Sequence, residues 1–134
     1  ILEMAGINDY ETIQQTDGKS FVSLLDKENE PSDTDRSFVW HFPNKWGASG
    51  PGIGTTSTIR KGDWKLVYWH KDQSFELFNI REDLMERNNQ TEQQPEKTKE
   101  LAKELGSYLR EVEAQMPTIK ATMEPVPYPD EVLD

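Results

Sequence analysis

Cysteine is missing from all 134 residues. No disulfide framework can staple the chain, and no thiolate is there to act as nucleophile or metal ligand. Positive charge is also scarce: 15 Lys and Arg stand against 25 Asp and Glu, a formal net charge of −10. A nucleic-acid binder needs clustered cations to neutralise phosphates, and anionic membranes attract the same clusters. Both partner classes are disfavoured. Apolar residues make up only 34% of the chain, with no run long enough to span a bilayer. The opening Ile-Leu-Glu-Met is neither basic nor long enough for a signal peptide. Histidine occurs twice, as His41 and His70, with no His-x-x-x-His spacing and no carboxylate ligand set around either. A metal site is therefore not expected in this chain. The length leaves room for one domain or part of a larger one.

What is present concentrates in residues 57–80, the densest run of β-branched and aromatic residues. Thr56, Thr58 and Arg60 alternate with Ser57 and Ile59, the period of a half-buried strand. Lys61-Gly62-Asp63 breaks the run with a residue that tolerates positive φ. Trp64, Leu66, Tyr68 and His70 then share one face of the next strand, and Lys65, Val67 and Trp69 the other. The polar Lys71-Asp72-Gln73 leads to a third run, 75–80. Upstream, Phe38, Trp40 and Phe42 alternate with Val39 and His41, and Pro43 ends that strand. The Gly-rich residues 44–54 that follow join two strands, so they do not form a dinucleotide-binding fingerprint, which must open a helix.

Downstream, Pro95 opens one long helix at the position where its missing N–H costs nothing. Leu101, Leu105, Tyr108, Leu109 and Val112 form its apolar stripe. Gly106 interrupts the stripe, which close packing on the sheet would explain, and Pro117 stops the helix. The fold class expected is α+β: an antiparallel sheet of about four strands, at 36–42, 55–60, 64–70 and 75–80, with helix 95–115 across one face. Leu101, Leu105, Leu109 and Val112 are expected to meet Trp64, Leu66, Phe75 or Leu77. Residues 118–134 contain Pro125, Pro127 and Pro129 and read as an extended tail, in which Tyr128, Val132 and Leu133 are the residues able to dock.

The order I-R-x-G-D-W-K-L, then E-L-F-N-I-x-x-D-x-x-E-x-x-N, resembles the C-terminal subdomain of the sulfatase family. Here it comprises Ile59, Arg60, Gly62, Asp63, Trp64, Lys65 and Leu66, then residues 76–80, Asp83, Glu86 and Asn89. The resemblance extends upstream to 1–6 and 17–25 and downstream to Met116-Pro117. Leu84-Met85 and Gln90 depart from the family pattern. The resemblance implies three parts: 1–25, the end of a preceding catalytic domain and a connecting turn; 26–117, the subdomain; and 118–134, the tail. The chain begins without Met, inside what reads as a helix that Gly6 caps, as an excised portion would.

The family hydrolyses sulfate esters with a formylglycine made from C/S-x-P/A-x-R, beside a calcium ion. This sequence contains neither that motif nor an Asp-Asp pair near a strand end. No catalytic residue and no cofactor is therefore expected in it. Calcium, formylglycine and the catalytic domain would be supplied by the parent protein. The resemblance implies that the subdomain borders the substrate cleft. His41 and Lys45 are the candidates to meet anionic or hydroxyl groups of a sulfated carbohydrate or aryl sulfate, and Trp46 to stack on a sugar face. Against this, Trp40, Phe42 and Trp46 read equally as core or interface aromatics. The absent domain is expected to leave an apolar surface of Ile1, Leu2, Met4, Ile7, Phe21, Leu24 and Leu25, hidden either by self-association or by folding of these residues back on the sheet. The competing reading is an independent α+β module that binds carbohydrate through exposed Trp residues. Asn89-Gln90-Thr91 is formally a glycosylation sequon and reads as a chance occurrence.

Overall fold

The computed structural model describes residues 1–7, 9–14, 18, 20, 22, 25, 36–44 and 53–133, and the backbone of 23 and 24. Two compact units divide the chain, 1–34 and 35–134. In the first, a 3₁₀ turn at Glu3–Ala5 ends on Gly6, whose φ of 75° supplies the left-handed cap. A second 3₁₀ turn covers Val22–Leu25. Ile1, Leu2, Met4, Ile7 and Leu25 are exposed; the side chains of Phe21 and Leu24 lie outside the described residues.

The second unit holds the sheet. Strands β1 (Ser37–Phe42), β2 (Thr56–Lys61), β3 (Trp64–Trp69) and β4 (Ser74–Asn79) form an antiparallel meander in that order. Gly62, at φ 55°, makes the two-residue turn between β2 and β3. Register follows the alternation in the sequence. Val39, Ile59, Leu66 and Leu77 line up across all four strands on one face. Helix α1 (Pro95–Glu111) lies on that face. Its Leu101, Ala102, Leu105 and Leu109 are buried with Ile59, Leu66, Tyr68 and Leu77 in a single core, against which Trp64 and Phe75 pack.

Four expectations change. Tyr108 and Val112 are exposed rather than part of the buried stripe. The helix ends at Glu111 because Glu113 adopts a left-handed φ of 50°. The Glu113 and Ala114 N–H groups then bond back to the Arg110 and Leu109 carbonyls, the paired bonds of a Schellman stop. Pro117 comes too late to be the cause. The tail folds back instead of staying extended: Tyr128, Val132 and Leu133 do dock, packing on the core that Val126 joins, and Pro129–Val132 forms a 3₁₀ turn against α1. Arg110 fastens that turn, reaching Asp130 and Glu131 at 2.9 Å each and covering the Tyr128 ring at 4.4 Å. Gly106 serves the same contact, not the sheet: a Cβ there would stand 1.9 Å from Asp130 Oδ1.

Candidate functional site

β1 is the strand from which any site must be built, because it leads into residues 44–54. Alternation turns His41 toward the helix side and leaves Phe38, Trp40 and Phe42 on the other face. His41 sits opposite Ser57 on β2, and its Nδ1 is 2.8 Å from Ser57 Oγ. The same hydroxyl is 2.8 Å from Nε2 of His70, the residue that follows β3. At the far side of the first ring, His41 Nε2 is 3.1 Å from the Gln115 carbonyl oxygen, beyond the end of α1.

The acceptors fix the direction of this chain in its neutral form. A carbonyl can only accept, so His41 Nε2 carries the proton and donates to Gln115. His41 Nδ1 then accepts from the Ser57 hydroxyl, and the Ser57 oxygen accepts from His70 Nε2–H. His70 Nδ1 is left as a buried acceptor with no partner among the described residues. His70 is 1% exposed. Burial, and then the neighbouring His41, push its pKa down to about 4, so it is neutral at pH 7. Tyr68 closes the cluster with its ring edge-on to His70 at 5.4 Å. Its hydroxyl donates to Pro127, and burial, with Glu131 nearby, pushes it up to about 12. The group is a hydrogen-bonded brace, buried at Ser57 and His70 and half-buried at His41, joining β1, β2, the end of β3 and the segment after α1. Ser57 itself is fully buried.

Lys45 and Trp46, the other two candidates, lie outside the described residues, so their position relative to His41 is not defined. Both His41 nitrogens are engaged within the chain; a substrate group reaching it would have to replace the Gln115 carbonyl. Ser57 was not singled out from the sequence. The signal for it was there: a polar side chain at an inward strand position needs a partner, and His41 faces it across the ladder.

The motif after β4 also has a structural explanation. Asn79 Oδ1 accepts from the Arg81 N–H, and Asp83 Oδ2 holds the N–H groups of Arg87 and Asn88. Glu86 pairs with Lys65 at 2.6 Å. Asn89 Oδ1 accepts from Leu77 and Thr91 N–H, while its Nδ2 donates to the Phe75 carbonyl. With the Gln90 N–H bonded to Leu77, these residues cover the outer edge of β4. The sequon asparagine is thus a strand-edge cap.

Residues 1–115 match the family described as N-sulphoglucosamine sulphohydrolase, C-terminal. The chain belongs to that family. This sulfatase C-terminal subdomain is 33% identical over 125 residues to a sulfatase of Formosa agariphila, covering 87% of the chain and 22% of the relative. A solved structure titled as a complex with its substrate D-glucosamine-2-N,6-O-disulfate matches with a TM-score of 0.57. It is 24% identical, over 87% of the chain and 23% of its own. The chain thus spans about a fifth of the length of these proteins.

The calcium and formylglycine that the family implies find no match among the described residues. Among the described residues no three His, Cys, Asp or Glu side chains gather as a metal-binding group. The sequence contains no C/S-x-P/A-x-R motif from which a formylglycine is made. No chemical step is therefore assigned to this chain.

Proposed function

We propose that this chain is the non-catalytic C-terminal subdomain of a sulfatase whose whole form hydrolyses sulfate esters of carbohydrates. The match of residues 1–115 to the C-terminal portion of a sulphohydrolase family carries the reading. On it, residues 1–25 close the preceding catalytic domain, and 26–117 with the tail form the subdomain. The nucleophile and calcium ligands belong to the catalytic domain. The segment 41–46 borders the substrate cleft: Lys45 meets an anionic group, Trp46 stacks on a sugar face, and His41 stands at the cleft edge while bracing the strand that presents them. A sulfated glucosamine is the first substrate class to try, since the family description names one.

The test is hydrolysis of a sulfated glucosamine and of a chromogenic aryl sulfate. The full-length protein should turn over at least one, and the isolated chain neither. Lys45→Ala and Trp46→Ala in the full-length protein should raise KM more than they lower kcat, the signature of lost substrate binding. Turnover by the isolated chain above a heat-killed control would overturn the reading.

A further inference from the structure

The open face of the sheet is unlike the face under α1. Phe38 and Trp40 stack with centroids 6.3 Å apart. They and Phe42 are 44%, 55% and 46% exposed, three aromatic rings in a row on one strand. Single exposed apolar residues are ordinary, but a contiguous row marks an interaction surface. Next to Trp40 is a hollow of about 350 Å³ lined by Thr58, Arg60, Lys65, Ile80 and Glu86. Cationic groups border the row: the Arg36 guanidinium lies 4.7 Å over the Phe38 ring, and Arg60 is exposed. In a chain of net charge −10, this border is locally basic.

We infer that this face, centred on Phe38 and Trp40, is the surface on which the catalytic domain of the whole sulfatase docks. The inference rests on the proposed function above. The chain accounts for about a fifth of its relatives' length, so in them a large covalently attached body is available to cover the face. Attachment raises the effective concentration, and a patch of modest size then suffices. The docking surface should offer an apolar side chain to the hollow beside Trp40, and carboxylate or carbonyl acceptors to Arg36 and Arg60. A second copy of the chain fits less well. An isologous pairing would set two rows against each other and crowd two sets of Arg36 and Arg60 along one border.

Hydroxyl-radical footprinting of the full-length protein reads the surface directly and does not depend on activity. Phe38 and Trp40 should lose most of their labelling at every protein concentration, while Tyr108 and Met123, both exposed here, remain labelled. Trp40→Asp in the full-length protein should restore labelling at Phe38; Met123→Gln should not. Labelling of Trp40 as strong as that of Tyr108 overturns the inference. So does protection that appears only as concentration rises, which would assign the face to a second copy. Failure of the functional reading is separate: a full-length protein inactive on sulfate esters yet protected at Trp40 would refute the activity, not the docking face.

Discussion

The two faces of one four-stranded sheet have opposite solutions to the same problem. On the inner face, Val39, Ile59, Leu66 and Leu77 run across the strands and are closed over by Leu101, Leu105 and Leu109 of α1 and by Val126 of the tail. On the outer face, Val67 and Phe78 are sheltered at the centre, but Phe38 and Trp40 are largely exposed on the edge strand. The inner face is completed by residues of the chain itself; the outer is completed, on our reading, by another domain. Mutations should therefore weigh very differently on the two sides.

The largest effect is expected for Leu105→Ala, which empties a fully buried position at the helix–sheet contact. It should cost about 2–5 kcal/mol, read as a lower urea midpoint at unchanged slope. Next comes pH. His70 is held neutral with a folded pKa of about 4, against an ordinary 6.5 in the unfolded chain. Its contribution is full above pH 6.5 and is lost as pH falls toward 4, by about 3 kcal/mol. Replacing His70 with Gln should flatten the pH dependence of the urea midpoint over that window; an unchanged slope would remove His70 as its source.

A smaller effect separates the tail from the sheet. Ala is better than Gly in a helix by about 1 kcal/mol, yet Gly106→Ala should destabilise, because its Cβ must displace the Asp130 carboxylate that Arg110 holds. The net loss should be about 1 kcal/mol. In an Asp130→Ala background the sign should reverse, which a double-mutant cycle of melting curves would show. The smallest effect is on the outer face: Trp40→Ser in the isolated chain should change stability by no more than about 0.5 kcal/mol.

The strands, their faces and the helix were legible because period two and a leucine stripe are local signals. Gly62 and Gly6 announced their turns for the same reason. The features that escaped the sequence are those decided at a distance. Glu113 ends the helix in a conformation that glycine would have advertised. The prolines of the tail suggested an extended segment, but Val126 and Tyr128 have a surface to fold onto, and Arg110 holds the turn that follows. Gly106 was rightly marked as a close approach, with the wrong neighbour. His41, Ser57 and His70 are spread over thirty positions, so no spacing points to their contact; only the strand register brings them together. Of the candidate site, His41 could be placed in a network, whereas Lys45 and Trp46 fall outside the described residues.

The account turns on the difference between the faces, and one substitution measured in two settings tests it. Trp40→Asp should barely move the melting temperature of the isolated chain. In the full-length protein the same change should lower it clearly, by the equivalent of about 2 kcal/mol or more, as loss of a buried aromatic anchor does. Equal, small shifts in both would show that nothing covers the outer face and would contradict the account.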